Sequence, residues 1–297
     1  MNKVSVIVAT FQRKQELKRA LDSLAVQTYE NIEIIVVDDN QDSAWNERVA
    51  MVVEDFMQKN PLVSVRVIVN QENQGSARAR NIGISESCGQ FVTFLDDDDV
   101  YLPDKIKRQV SFMIEGSYDC SITDLYLYNK VDKLVDKRIH NYLKSAKREE
   151  LRKYHMMYHL TGTDTLMFKR DFLLQIGGFG PANVGDEYYL MQRVIDADAS
   201  IGYLPGCDVK AYIHTSEGGV SSGDGKILGE NALYAYKKSH FDNVDGKSRR
   251  YIKMRHYAVI AFAELRRKRM LAFAKNAIVA FFCDPFSCIK LAIKRRF

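Results

Sequence analysis

The sequence has few of the features that mark secreted, metal-stapled or membrane-spanning proteins. Its five cysteines are scattered and never stand in C-x-x-C spacing, which argues against a zinc site or a disulfide framework. No uncharged apolar run approaches the roughly 20 residues that a spanning helix needs. The first residues also lack the apolar segment and cleavage site of a secretory signal. We therefore expect a reduced, cytoplasmic compartment.

Linkers and repeats are missing as well. The chain has five prolines in 297 residues and contains no Gly/Ser-rich stretch and no internal repeat. Disordered and solenoid architectures are therefore excluded, and the length fits one large domain or two small ones.

Acidic residues are scarce in one region only, the C-terminal end. Residues 249–297 hold 13 Lys+Arg but two acids, Glu264 and Asp284, a net charge of +11. The other residues carry 30 basic and 36 acidic side chains, a net of −6. This asymmetry argues against uniform nucleic-acid binding and predicts that the tail meets an anionic surface.

The first third of the chain alternates short apolar runs with helical patterns. Helical spacing follows most of the β-branched runs, which are 4–10, 32–37, 63–69 and 91–95. Such alternation predicts a parallel sheet with right-handed crossovers, and hence a nucleotide-binding α/β layer.

The rest of the chain is less regular. We predict a helix over 103–115, strands over 119–128 and 165–168, edge strands over 201–204 and 209–214, and a mobile loop over 216–225. The polar stretch 129–153 has no clear assignment. From residue 251 onward, helical apolar blocks alternate with basic ones, which is typical either of an interfacial amphipathic helix or of a helix pair packed on a core.

Polar side chains end three of the predicted strands. They are Thr10 to Arg13, Asp38 to Asn40, and the four consecutive carboxylates Asp96 to Asp99. The carboxyl ends of strands are where an α/β sheet binds its ligands. Crowded carboxylates either attract a cation or form a solvated acidic turn, and these residues alone leave both interpretations open.

Five segments in one order carry a resemblance to a known family: VSVIVATFQR from Val4, QTY from Gln27, VVDD from Val36, NQGSARARNIG from Asn73 and FLDDDD from Phe94. The chain resembles family 2 glycosyltransferases over residues 1 to about 105. The likeness is looser through Ile176 to Phe179 and at Asp186-Glu187, and absent beyond about residue 225. It implies a GT-A fold, with a Rossmann-like, mostly parallel central sheet flanked by helices, here followed by a basic helical extension.

The resemblance also implies site residues. Asp96-Asp97-Asp98 matches the family's D-x-D motif, so that Asp98, with Asp96 and with His214, is expected to hold Mn²⁺ or Mg²⁺. Hard carboxylate oxygens suit such cations. The nucleotide-sugar is expected to contact Thr10, Phe11, Arg13, Asp39, Gly75, Arg80, Asp96 and Asp97.

The remaining catalytic part is a base for the acceptor hydroxyl. The family places an acidic residue after the Gly-Gly-Phe turn, commonly in Glu-Asp order, whereas this sequence has Asp186-Glu187. The register points to Glu187 as the base and to Asp186 as the alternative. A carboxylate at a helix start also has a purely structural use.

Together these features predict a metal-dependent, inverting glycosyltransferase. It would move a hexose or N-acetylhexosamine from a UDP-sugar to a glycan, expected to be lipid-linked, at the inner face of the cell membrane. Residues 1–225 would form the GT-A domain, with a nucleotide half over 1–105 and an acceptor half over 106–225, and residues 226–297 the membrane-associating extension. The alternative is a non-catalytic nucleotide-sugar-binding or membrane-scaffold protein of the same fold.

Overall fold

The computed structural model describes residues 1–143, 147–160, 162–180, 185–213 and 223–294. The chain divides into two compact units. The sheet unit comprises Met1–Arg148 and Leu160–His214, and the helical unit comprises Glu149–His159 and Thr215–Phe297. Each unit has its own packed apolar interior.

The sheet unit contains all the strands of the described residues. They are β1 (Val4–Thr10), β2 (Ile32–Asp38), β3 (Ser64–Val69), β4 (Phe91–Phe94), β5 (Val100–Tyr101), β6 (Cys120–Thr123), β7 (Leu125–Tyr128), β8 (Leu134–Arg138), β9 (Leu166–Lys169), β10 (Ile201–Leu204) and β11 (Val209–Tyr212). Its helices are α1 (Gln15–Ala25), α2 (Ser43–Lys59), α3 (Ser76–Glu86), α4 (Lys105–Glu115), α6 (Arg170–Gln175) and α7 (Asp186–Asp196).

Seven strands form the main sheet, in the order β10-β6-β9-β4-β1-β2-β3. The pairs β1–β2, β1–β4, β2–β3 and β10–β6 are parallel, while β9 runs antiparallel to both of its neighbours. This arrangement confirms the predicted mixed α/β fold with a mostly parallel central sheet. Because β1, β2 and β4 are parallel, their carboxyl ends meet at one edge.

The central strands are apolar because helices cover both faces of the sheet. Every residue of β2 is buried, as are all but one of β1, which is typical of parallel strands in α/β proteins. Helix α1 buries Leu17, Leu21 and Leu24 against this sheet, as its helical spacing predicts.

A smaller second sheet, in the order β5-β11-β7-β8, corrects two predictions. The run 119–128 is two strands, since Asp124 separates β6 in the main sheet from β7 in the second sheet. The run 209–214 was expected to be an edge strand, but β11 lies between β5 and β7. Alternating polar and apolar residues cannot reveal which neighbours a strand will have.

The helical unit consists of most of α5 (Arg148–Tyr158), with α8 (Gly223–Ser239), α9 (Gly246–Arg266), α10 (Met270–Cys283) and α11 (Pro285–Lys294). The helical prediction for the tail is confirmed. The loop predicted over 216–225 lies mostly outside the described residues, and Gly223 already begins α8. Among the described helices, none combines the length and the apolarity needed to cross a bilayer.

The buried carboxylate of Glu33 holds the segment before β4 against the amino end of β1, at the edge of the sheet opposite the carboxyl ends of these strands. Glu33 accepts hydrogen bonds from the backbone N–H groups of Cys88 at 2.7 Å and Gly89 at 3.1 Å, and pairs with Lys3 at 3.1 Å. Gly89 therefore lies directly against β1. A Cβ at Gly89 would come within 2.7 Å of the Ser5 nitrogen and 2.8 Å of the Lys3 carbonyl oxygen.

We therefore expect Gly89→Ala to lower the free energy of unfolding by about 1–3 kcal/mol, because backbone atoms cannot move aside to admit the methyl group. Urea denaturation followed by circular dichroism measures the change. Gly246→Ala is the matched control, since no atom lies within 4 Å of a Cβ there. Equal stability of the Gly89→Ala variant and the wild-type chain would contradict the close packing described here.

Candidate active site

The loop after β1 holds the second residue of the carboxylate run. Thr10 Oγ1 donates to Asp97 Oδ2 at 2.8 Å, the Phe11 N–H donates to the same oxygen at 3.3 Å, and Arg13 Nη1 lies 2.6 Å from Asp97 Oδ1. Burial raises the pKa of Asp97 to about 6 even though Arg13 opposes the shift. The structure thus brings together Thr10, Phe11, Arg13 and Asp97, as the sequence predicts for a nucleotide-sugar site.

Asp98, the predicted metal ligand, pairs with the same guanidinium. Its Oδ2 lies 2.5 Å from Arg13 Nη1, and its backbone carbonyl accepts from Arg19 Nη2 at 2.7 Å. Arg13 therefore joins two neighbouring carboxylates of the run. An Arg fork also suits phosphate oxygens, so Arg13 is placed to exchange carboxylate partners for a phosphate group.

Asp39, at the end of β2, orders the entry to α3. One carboxylate oxygen accepts from Asn70 Nδ2 at 2.7 Å and from the Gln74 N–H at 2.8 Å, and the other accepts from the Gly75 N–H at 2.8 Å. Gly75 has φ 79°, a conformation that favours glycine. Asp39 therefore shapes the loop that carries Gly75 and leads into the helix bearing Arg80.

Arg80 connects the two halves of the site. Its side chain is buried, with Nη2 2.6 Å from Asp96 Oδ1 and Nη1 2.8 Å from Asp186 Oδ2. The guanidinium also lies over the ring of Phe179, 5.4 Å from its centroid. One cation on α3 thus ties the carboxylate run after β4 to the first turn of α7.

The predicted acid pair begins α7. Asp186 Oδ1 accepts from the Glu187 N–H at 3.0 Å, and Asp186 Oδ2 is the partner of Arg80. Burial, together with the hydrogen bond and charge of Asp186, raises the pKa of Glu187 to about 8. Glu187 therefore holds a proton at neutral pH in the absence of ligands and has the basicity expected of a group that accepts one during a reaction.

A second group of carboxylates was not predicted from the sequence. Asp96, Asp99 and Asp164 each offer an oxygen atom, and these atoms lie within 4.8 Å of one another. Asp164 Oδ1 accepts from the Asp96 N–H at 2.6 Å, and Asp99 Oδ1 accepts from the Tyr212 N–H at 2.8 Å. Burial and mutual repulsion raise the pKa of Asp164 to about 7 and that of Asp99 well above its usual range. Three hard oxygen donors fit a divalent cation such as Mn²⁺ or Mg²⁺.

The fourth carboxylate of the run, Asp99, does not start the helix that follows. That helix, α4, begins at Lys105, and Asp99 instead precedes the short strand β5. Asp99 is buried beside Asp164. The predicted ligand His214 lies outside the described residues.

Asp164 was missed because of the direction of its strand. It lies in the turn Thr163–Thr165, just before β9, and β9 runs antiparallel to β4. The amino end of β9 therefore meets the carboxyl end of β4, whereas residues that precede a strand of a parallel sheet lie at the opposite edge. Lys105 is also buried in this region, and its Nζ donates to Tyr101 Oη at 2.8 Å. Burial lowers the pKa of Lys105 to about 7.

The carboxylate group yields a stability prediction. Asp164→Asn keeps an oxygen that can accept from the Asp96 N–H but removes one charge, so we expect the metal-free protein to gain about 1 kcal/mol in free energy of unfolding. Mn²⁺ should then stabilise this variant less than the wild type. Thermal unfolding at pH 8 with EDTA or Mn²⁺ measures both effects. Asp171→Asn, at an exposed carboxylate, is the control. A variant that is less stable without metal and gains as much from Mn²⁺ would contradict the assignment.

The chain is similar to known proteins in sequence and in fold. The family described as Glycosyl transferase family 2 matches residues 5–174. The glucosyltransferase WfaP of Escherichia coli, named as acting on UDP-Glc and α-D-GlcNAc-diphosphoundecaprenol, is 32% identical over 128 residues, 43% of this chain and 47% of that protein. Glycosyltransferase GlyA of Streptococcus pneumoniae is 32% identical over 129 residues, 43% of this chain and 18% of that protein. The matched region thus spans less than half of these relatives.

Solved structures show the same fold at low sequence identity. S. aureus TarS 1–349 in complex with UDP-GlcNAc has a TM-score of 0.59 and 17% identity, covering 94% of this chain and 91% of that one. A mannosyltransferase from Pyrobaculum calidifontis, in complex with GDP-Man and Mn²⁺, has a TM-score of 0.56 and 16% identity, covering 100% of this chain and 76% of that one. The expected GT-A fold is confirmed by these likenesses.

Proposed function

Because the chain belongs to glycosyl transferase family 2, we propose that it is a metal-dependent, inverting glycosyltransferase that transfers a hexose or N-acetylhexosamine from a UDP-sugar to a hydroxyl group of a glycan. The observation that carries this proposal is the buried Arg80, which joins Asp96 on the donor side to Asp186 beside Glu187. A carboxyl of raised pKa that is linked to the nucleotide loops in this way is typical of catalytic sites, and it supports catalysis over nucleotide-sugar binding alone.

The donor side contains residues suited to a nucleoside diphosphate. We propose that the nucleotide is contacted by Thr10, Phe11, Asp39 and Gly75. Arg13 and Arg80 would face its phosphates, since a guanidinium can donate two parallel hydrogen bonds to one phosphate group. The UDP-GlcNAc bound to TarS and the UDP-Glc named for WfaP support uridine. The GDP-Man of the mannosyltransferase makes guanosine the alternative base.

The carboxylates at the end of β4 would hold the divalent cation. Asp96, Asp99 and Asp164 form a fitting oxygen donor set, and we propose Asp98 as a further ligand, released from Arg13 when phosphate binds. The chemistry supplied there is neutralisation of charge on the departing diphosphate. The Mn²⁺ in the mannosyltransferase structure supports this assignment.

Transfer with inversion needs one base opposite the leaving group. Glu187 would accept the proton of the acceptor hydroxyl as the hydroxyl oxygen attacks the anomeric carbon and the diphosphate departs. Asp186 would position Glu187 and is the alternative base. Its carboxylate already pairs with Arg80 and with the Glu187 N–H, which makes it the poorer proton acceptor.

The acceptor and the location follow from the tail and from one relative. WfaP is named for an acceptor linked to diphosphoundecaprenol, and the net charge of +11 over residues 249–297 favours an anionic surface. We propose a lipid-linked glycan as the acceptor, and the cytoplasmic face of the cell membrane as the place of reaction.

Two variants of the acid pair test the proposal. Glu187→Gln should lower turnover by ~10²–10⁴-fold while leaving the donor KM nearly unchanged, because only the proton transfer is lost. In the wild type, kcat/KM should rise with pH through about 8 as the Glu187 carboxyl ionises, and this rise should vanish in the variant. The measurement is UDP release from UDP-glucose and UDP-N-acetylglucosamine with Mn²⁺, with water as the acceptor.

Asp186→Asn is the matched comparison at the neighbouring position. It removes one of the two ion pairs of Arg80 and leaves the pair with Asp96, so it should change the donor KM as well as turnover. Its kcat/KM should still rise with pH. If the rise of kcat/KM with pH is lost in Asp186→Asn and kept in Glu187→Gln, Asp186 is the base. If neither variant lowers turnover, the proposed mechanism is wrong.

A further inference from the structure

The outward faces of α10 and α11 are apolar, the reverse of the usual pattern for a surface helix. On α10 the exposed stripe includes Leu271 at 91% exposed, Ile278 at 57% and Phe282 at 79%. The stripe continues on α11 with Phe286 at 88% and Ile289 at 50%. Contiguous large apolar side chains of this kind mark an interaction surface.

The inward faces of the same helices are already occupied. Ala280 and Cys283 of α10 and Cys288 of α11 pack in one cluster with Met254 and Ala258 of α9. The side chains of α10 and α11 in this cluster are small except for Leu291, while Phe282 and Phe286 are exposed. The exposed stripe is thus not the face by which α10 and α11 pack on α9, because their opposite faces already make that contact.

Exposed basic side chains surround this stripe. They are Arg266, Lys268, Arg269, Lys275 and Lys290. In the described residues 266–294 the sole acid is Asp284, which accepts from the Ser287 N–H at 3.1 Å at the start of α11. Lys275 and Lys290 lie within the exposed stripe itself, where long stems can rest on apolar surface while the ammonium groups stay in polar surroundings.

We infer that the exposed faces of α10 and α11 form an interfacial anchor that inserts its phenylalanines into an anionic lipid bilayer, parallel to the membrane plane. Neither helix is long enough to span a bilayer, whereas an apolar face flanked by lysine and arginine fits the boundary between headgroups and acyl chains. Anionic headgroups would supply the negative charge that the surface itself lacks.

A second copy of the chain fits this surface less well. A symmetric contact would bring two identical sets of basic side chains together, with no exposed acid among residues 266–294 to pair with them. A lipid surface meets both requirements, because it offers negative charge and an apolar layer beneath it. An anchor of this kind would hold the protein at the membrane, where a lipid-linked acceptor lies. Its biological role therefore rests on the proposed function, whereas the binding of lipid does not.

Vesicle flotation with the full chain tests the anchor. We expect binding to vesicles of equal parts phosphatidylglycerol and phosphatidylcholine, weaker binding to phosphatidylcholine alone, and release at high ionic strength. The double variant Phe282→Ser/Phe286→Ser should bind about tenfold more weakly or worse, and Lys275→Gln/Lys290→Gln should lose much of the preference for phosphatidylglycerol. Melting curves show whether each variant remains folded.

The matched control replaces two exposed apolar side chains of the sheet unit, Leu62→Ser and Val131→Ser, at 98% and 80% exposed. It should bind vesicles like the wild type. Unchanged binding by the phenylalanine variant, or a wild type that ignores lipid, would overturn the anchor. A wild-type dimer that this variant dissociates, seen by light scattering without lipid binding, would show an interface between copies instead.

The same samples separate this inference from the proposed function. UDP release from a soluble UDP-sugar uses no membrane, so the Phe282→Ser/Phe286→Ser variant should retain it. Loss of vesicle binding with retained UDP release supports the anchor, whereas a wild type that binds vesicles but releases no UDP refutes the enzymatic proposal alone.

Discussion

The arrangement of the site depends on the pairing of crowded carboxyl groups with two arginines at the carboxyl ends of the strands. Seven carboxyl groups meet there, on the loop after β4, before β9 and at the start of α7: Asp96, Asp97, Asp98, Asp99, Asp164, Asp186 and Glu187. The guanidinium groups that pair with them are those of Arg13 and Arg80. Because buried like charges cannot all remain ionised, several of these carboxyls have raised pKa values. The site is thus arranged to accept positive charge.

The two arginines also determine which elements act together. Arg13 links the loop after β1 to Asp97 and Asp98, and Arg80 links α3 to the loop after β4 and to α7. The position of α3 depends in turn on Asp39, which orders the loop before it. A ligand that draws Arg80 toward phosphate would change the surroundings of Asp186, and hence of Glu187. Arg80 would thereby couple donor binding to the proton affinity of the proposed base.

The central sheet was predictable because its signals are local. The runs at β1, β2, β3 and β4 are apolar and β-branched. Polar residues follow β1, β2 and β4 at their carboxyl ends, which is the edge where α/β sheets generally bind ligands. Arg80, Asp186 and Glu187 are predicted as site residues only through a family resemblance, and their roles stay predictions. No periodicity shows that an arginine on α3 reaches the start of α7, since Arg80 and Asp186 are 106 positions apart in the chain.

What could not be predicted depends on strand direction and on three-dimensional neighbours. Asp164 joins the site because β9 runs antiparallel, and β11 is an inner strand because β5 and β7 flank it. The sequence leaves two environments open for the apolar blocks of the tail, a membrane interface or a packed core, because an apolar stripe reads the same whether it is buried or exposed. The exposure of one face of α10 follows from the packing of its other face on α9. These features follow from tertiary packing rather than from local propensity.

We propose that the carboxylates at the end of β4 bind a nucleoside diphosphate through a divalent cation. Isothermal titration of UDP into the protein, with Mn²⁺ or with EDTA, measures this most directly. We expect tight UDP binding only with Mn²⁺, and loss of that dependence in Asp98→Ala. UDP binding of equal strength in EDTA, or an Asp98→Ala variant that keeps the full metal dependence, would contradict it.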